Sequence, residues 1–306
     1  MTSIPKKLTG VFAAALTPMT ADLAPDHALM AKHCRWLLDN GCDGLAVLGT
    51  TGEANSFSLV ERMRIIENLV EAGIPAAALM PGTGSCALPD AVELSRFSVE
   101  AGCGGALLLP PFYYKDPSDD GLFAFYSEVI QRIGDARFRA YLYHFPQMSA
   151  TPISHALIER LLKAYPETIC GLKDSSGDLD NMLTMIRNFP GFHVFTGADH
   201  QLLPVLEAGG AGCITASANV ASSLAAEVYA GFNSGADVSA ANADLCEVRR
   251  IIVQFPLFAS LKQLMHRHTG DDGWLNIRPP LRLIDGPDRN RLFAEFDGIG
   301  YAVPSI

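Results

Sequence analysis

The segment Thr168-Ile-Cys-Gly-Leu-Lys173-Asp174-Ser175-Ser176-Gly177 is a short apolar run that stops abruptly in polar residues and a glycine. Such a run is too short for a helix. It also lacks the polar alternation of a strand with one face in water, so it fits a strand covered on both faces. Working outward, the same pattern recurs at residues 10–16, 44–48, 76–80, 105–109, 139–143, 193–196 and 212–215, giving eight strand candidates with 169–173. Between them lie amphipathic stretches. Residues 26–40 place Leu29, Cys34, Leu37 and Leu38 on one helical face, and 59–72 do the same with Ile65, Ile66, Leu69 and Val70.

A strand–helix rhythm repeated eight times predicts an α/β protein, a closed (β/α)8 TIM barrel, over residues 1–222. Residues 223–306 carry only helical patterns and read as a C-terminal helical extension. The other architecture with this rhythm is an open doubly wound sheet. Its glycine fingerprint should follow the first strand, where Leu16-Thr17-Pro18-Met19 stands instead.

Composition narrows the function classes. With 49% hydrophobic and 18% charged residues the chain has ample core to bury, which excludes disorder as its main state. The balance of 23 Lys and Arg against 33 Asp and Glu offers no footprint for nucleic acid or an anionic membrane. No apolar stretch reaches the roughly 20 residues of a membrane helix, and the first residues lack the flanks of a signal peptide. Seven scattered cysteines with no C-x-x-C suggest neither a disulfide framework nor a zinc knuckle, and a reducing cytoplasm is the expected compartment.

Catalytic residues of such a barrel belong at the C-terminal ends of the strands. Of the lysines at 6, 7, 32, 115, 163, 173 and 262, only Lys173 directly ends an apolar strand. A lysine taken out of water there favours the free amine, which can attack a carbonyl; the bland alternative is a lysine that snorkels to the rim and pairs with Asp174. Gly49-Thr50-Thr51-Gly52-Glu53 follows residues 44–48. Its amides can point at an anion and its hydroxyls remain free, although an ordinary threonine-capped turn reads the same way. In Tyr141-Leu142-Tyr143-His144, alternation sends both tyrosines to one side, with Tyr143 nearer the mouth and His144 turned away as a structural histidine. The loop Pro110-Pro111-Phe112-Tyr113-Tyr114-Lys115 is aromatic enough to cover the mouth or a partner subunit. His266 and His268 do not share a helical face, and no metal or cofactor is expected.

Gly-Thr-Thr-Gly-Glu at 49–53, Pro-Phe-Tyr-Tyr at 111–114, Tyr-x-x-Pro at 143–146 and Gly-x-Lys-Asp-Ser-Ser-Gly at 171–177 together resemble the dihydrodipicolinate synthase/N-acetylneuraminate lyase family, in order and in spacing. The resemblance runs on through Thr196-Gly-Ala-Asp199 and residues 209–219. It implies that Lys173 forms a Schiff base with the keto carbon of pyruvate or a longer 2-oxo acid. It further implies that the amides of Thr50 and Thr51 hold the substrate carboxylate, that the Thr51 hydroxyl and Tyr143 relay protons, and that Tyr113 reaches into a neighbouring subunit's site. Gly197, Ile214 and Asp199 match substrate-pocket positions, Asp199 standing where sialic acid lyases hold sugar hydroxyls, and Ser175 and Ser217 offer neutral polar contacts beside them. A homodimer or homotetramer is implied as well.

The sequence departs from synthases proper at Met148, where they carry an arginine for the second substrate's carboxylate. That favours reversible cleavage of a hydroxylated 2-oxo acid, of the 2-keto-3-deoxy sugar acid or 4-hydroxy-2-oxoglutarate type. Condensation of pyruvate with aspartate semialdehyde and dehydration of a sugar acid remain open. So do a non-catalytic keto-acid-binding barrel and a metal-dependent aldolase, for which only Asp199-His200 offers an adjacent ligand pair.

Overall fold

The computed structural model describes residues 5–305. Within them the elements run β1 (Gly10–Ala13), α1 (His27–Asp39), β2 (Gly44–Leu45), α2 (Leu59–Glu71), α3 (Leu88–Glu100), β3 (Ala106–Leu108), α4 (Asp119–Ile133), β4 (Ala140–His144) and the single turn α5 (Pro146–Ser149). They continue as α6 (His155–Ala164), β5 (Ile169–Asp174), α7 (Leu179–Asn188), β6 (His193–Thr196), α8 (Leu202–Glu207), β7 (Gly212–Thr215) and α9 (Ala218–Ser234). Three helices follow, α10 (Ser239–Ile252), α11 (Leu257–Thr269) and α12 (Gly286–Gly298). All strand pairs are parallel, in the order β2-β1-β7-β6-β5-β4-β3.

The strand expected at 76–80 is displaced. Ala76–Ala78 form a 3-10 turn after Pro75, because an alanine run between two prolines has neither β-branched side chains nor a full set of N–H donors to hold a ladder. Residues 79–83 take over: Met80 and Gly82 donate to Leu45 and Val47 on one side, while Leu107 and Gly104 donate to Pro81 and Leu79 on the other. These bonds join β2 to β3 and close the ring, giving the TIM barrel that the rhythm predicted. At the opposite seam, Gly212 and Gly10 are register partners with φ of 135° and 110°. A Cβ on Gly212 would stand 2.0 Å from the Gly10 carbonyl oxygen, so only glycine lets β7 and β1 approach there.

Alternation along the strands sorts the core into two layers. Phe12, Leu107, Tyr141, Tyr143, Phe195 and Ile214 pack together inside the ring. Their strand neighbours Val11, Leu108, Leu142, Leu172 and Val194 pack outward against the helices. Local signals set the helix starts: Ser58 and Glu61 form a capping box on α2, and Ser118, Ser154 and Asp178 cap α4, α6 and α7. Helix α9 crosses residue 222, and Leu245, Val248, Leu261 and Leu292 of the extension share one apolar cluster with Val11 and Leu45 of the barrel. No helix among the described residues is long and apolar enough to cross a membrane.

Asn219 ties the end of β1 to α9 and α1. Its amide donates to the carbonyls of Ala14 and Ala216, and its oxygen accepts from the Leu16 amide at 3.0 Å and His33 Nε2 at 2.9 Å. Since the oxygen can only accept, His33 carries its proton on Nε2. Burial pulls the His33 pKa down to about 4. Between about pH 6.5 and pH 4 the unfolded chain therefore binds a proton that the folded chain refuses, so stability is full above that window and lost as pH falls through it. Urea unfolding should show this as a loss on the order of 3 kcal/mol. His33→Gln should flatten the profile in that window, and an unaltered profile would contradict the assignment.

Candidate active site

A cavity of about 380 Å³ opens at the C-terminal ends of the strands. Lys173, the penultimate residue of β5, is 4% exposed and lines it. Its register partner on β4 is Tyr143, and the Lys173 Nζ lies 4.4 Å from the centre of the Tyr143 ring. Asp174 does not pair with it. One Asp174 oxygen accepts from the Ser176 amide and hydroxyl at 2.7 and 2.5 Å, and the other accepts from Asn181 at 2.7 Å. The carboxylate thus braces the β5–α7 loop and leaves the amine to the cavity.

Thr50 and Thr51 reach the same cavity from the turn after β2. The hydroxyl that meets Tyr143 is that of Thr50, at 3.2 Å, and not that of Thr51, as the resemblance had implied. The turn geometry decides this. Thr51 is 5% exposed and packed inward, while Thr50 is half-buried and hangs over the mouth. Leu48 and Glu53 take left-handed φ of 56° and 55°, and the Gly52 carbonyl accepts from Thr17, so the backbone reverses tightly around the two threonines. Neither threonine amide donates to another group among the described residues, which leaves both N–H groups for an anion.

Gly197, Ser175 and Ile214 also line the cavity. The Gly197 amide donates to the Asp174 carbonyl at 2.6 Å, and a Cβ there would meet Ser175 Oγ at 2.2 Å. Asp199 and Ser217 are wholly buried behind the wall, joined by a 2.5 Å hydrogen bond, and neither is among the lining residues. Tyr113 is 72% exposed and stacks edge-on with Tyr114, away from this cavity within a single chain. His144 is structural, its Nδ1 accepting from the Ile153 amide at 3.0 Å. No group of three or more potential metal ligands occurs among the described residues.

Two features escaped the sequence reading. Lys262 on α11 is fully buried against Glu53, Nζ to Oε1 at 2.5 Å, and also donates to the Asn276 carbonyl. Desolvation pulls its pKa below the ordinary lysine value, and the Glu53 charge opposes that pull. Arg278 donates to the Ser56 carbonyl and pairs with Glu61, holding that carboxylate down to about 2. Both cations come from the extension and pin the turn that carries Thr50. The one signal for Lys262 was its place between Leu261 and Leu264 on an amphipathic helix.

The profile of the dihydrodipicolinate synthetase family matches residues 7–295. The chain belongs to that family. It is 38% identical to an uncharacterized DapA-like lyase of Chloroflexus aurantiacus, over 95% of this chain and 96% of that one. It is 34% identical to a 4-hydroxy-tetrahydrodipicolinate synthase of Acidiphilium cryptum, over 74% and 76%. The crystal structure of dihydrodipicolinate synthase from Agrobacterium tumefaciens superposes with a TM-score of 0.88 at 30% identity, covering 95% of this chain and 99% of that one. The chain is therefore a lyase-class enzyme, a class I aldolase or lyase on the family's barrel.

Removing one partner of the Lys262–Glu53 pair strands a buried charge, whereas removing both does not. Lys262→Met should lower the unfolding free energy by about 3–5 kcal/mol. Lys262→Met with Glu53→Gln should recover most of the loss in urea titrations; equal stability of the single and double variants would show the pair to be uncoupled.

Proposed function

We propose that Lys173 is the imine-forming nucleophile and that the enzyme reversibly cleaves a hydroxylated 2-oxo acid to pyruvate and an aldehyde. The observation that carries this reading is the unpaired side-chain nitrogen of Lys173 against the Tyr143 ring, with the Tyr143 hydroxyl bonded to Thr50. The amine adds to the C2 carbonyl and water leaves, giving a protonated imine. When the C3–C4 bond breaks, its electrons flow into the imine to form an enamine, and the 4-hydroxyl loses its proton as the aldehyde forms. The Tyr143–Thr50 pair is placed to accept that proton and to return one to C3, after which water releases pyruvate and restores the amine. The free amides of Thr50 and Thr51 hold the 2-oxo acid's carboxylate.

Met148 lines the rim with a thioether, so no bidentate charge-assisted bond to a carboxylate forms there. At this position the rim offers the semialdehyde's carboxylate no charged partner, which is why the hydroxylated substrate is the first reading. Condensation of pyruvate with the semialdehyde is the second reading, supported by relatives named 4-hydroxy-tetrahydrodipicolinate synthase. Tyr113 and Tyr114, at 72% and 80% exposure on a proline-bordered loop, fit burial in a second copy. In a homodimer or homotetramer Tyr113 would then complete the partner's relay. Seven free thiols fit a cytoplasmic location.

Pyruvate with borohydride should add a reduced pyruvyl group to Lys173, and an adduct on another lysine would refute the mechanism. Tyr143→Phe and Thr50→Val should lower kcat by about 10²-fold or more, with Thr51→Val affecting KM more than kcat. A lactate-dehydrogenase-coupled screen over hydroxylated 2-oxo acids, run beside a semialdehyde condensation assay, decides between the two substrate readings.

The oligomer reading has its own check. Mixing inactive Lys173→Ala with impaired Tyr113→Phe should regenerate sites that combine the intact Lys173 of one copy with the intact Tyr113 of the other. No regained activity, or a fully active monomer by light scattering, would exclude a shared site.

A further inference from the structure

Arg249 belongs to α10 of the extension, yet it lines the same cavity as Lys173. Its side chain is only 17% exposed, and its Nη1 is buried without a hydrogen-bond partner among the described residues. The carboxylate within 4 Å is Asp199, whose Oδ2 lies 3.8 Å from Nη1, too far for a hydrogen bond. Asp199 spends that oxygen on Ser217, and its other oxygen has no partner. The neighbouring Arg250 turns outward to Glu247 and takes no part.

A buried carboxylate therefore stands behind the guanidinium and steadies its charge without occupying its donors. Nη1 is enclosed on the Asp199 side, so the donors that Arg249 offers the cavity are its other guanidinium nitrogens, which make no hydrogen bond among the described residues. Such a pair of donors is satisfied best by a planar or tetrahedral anion, which a guanidinium edge matches with two parallel hydrogen bonds. The substrate's first carboxylate is assigned to the Thr50 and Thr51 amides on another wall, so the fork of Arg249 is left for a second negative group. Among the lining residues Arg249 is the only arginine, and Met148 supplies no charge.

We infer that Arg249 binds an anionic terminus at the end of the substrate remote from its keto carbon, so that the cavity selects 2-oxo acids ending in carboxylate or phosphate over those ending in a neutral chain. This inference rests on the lyase reading above and names its substrate class. Asp199, in this account, is a positioning residue for Arg249 and does not touch the substrate.

The test compares 2-oxoglutarate with 2-oxopentanoate, equal in length and differing in the distal carboxylate, by titration calorimetry. A third ligand, 4-phosphono-2-oxobutanoate, which puts phosphorus where 2-oxoglutarate has its distal carboxylate carbon, distinguishes a phosphate-like from a carboxylate terminus by which of the two acidic ligands binds tighter. A hydrogen-bonded charge pair of this kind is worth about 10- to 150-fold in affinity. The wild type should prefer the acidic ligands by that order. Arg249→Met should bring the ratio close to one, and Arg249→Lys should leave an intermediate value. Because each ratio is taken within one protein preparation, partial loss of folded material cancels. A wild-type ratio near one, or a ratio unmoved in Arg249→Met, would overturn the inference. The lyase reading is scored separately by borohydride trapping of pyruvate on wild-type Lys173, since the calorimetric ratio does not require turnover.

Discussion

The carbonyl chemistry proposed for Lys173 requires that no carboxylate hold its side chain as the ammonium, and in the structure none pairs with it. The nearest acidic residue in sequence, Asp174, is turned away by the pleat of β5 and saturated by Ser176 and Asn181. What faces the amine instead is the ring of Tyr143, an apolar surface whose quadrupole tolerates a cation without fixing it in a hydrogen bond. The parallel register that pairs Tyr143 with Lys173 makes this contact a property of the sheet and not of a mobile loop.

The barrel alone does not finish its own mouth. Lys262 and Arg278, both beyond residue 234, brace the turn that presents Thr50, and Arg249 enters the cavity from a third point of the same extension. Helices α10 and α11 and the segment before α12, all part of an extension that shares one apolar core with the barrel, thus bring three cations to the turn and the cavity wall. A net charge of -10 offers no long-range attraction for an anion, and of the three cations only Arg249 lines the cavity, since Lys262 and Arg278 are spent on Glu53 and Glu61.

Asp199 illustrates how burial reassigns a residue. As a residue type at that position it fits a contact to substrate hydroxyls. In the fold it is fully enclosed, bonded to Ser217, and faces Arg249 at 3.8 Å. A carboxylate so placed acts on the cavity through the charge beside it.

Signals confined to a few neighbouring residues were legible without coordinates: the strand–helix rhythm, the lysine closing the run 169–173, the inward alternation of Tyr141 and Tyr143, and the glycine-bounded threonines. Each follows from the period of a strand or the backbone demands of a tight turn, which are properties of adjacent positions. The tertiary structure decided the rest. It placed Thr50, and not Thr51, against Tyr143; it moved the strand at 76–80 to 79–83; and it brought Arg249 to the cavity and Lys262 to Glu53 from 76 and 89 residues beyond Lys173 along the chain. The face that a helix of the extension turns toward the barrel is chosen by how the shared core packs. That is a sum over distant contacts, which no local pattern of residues encodes.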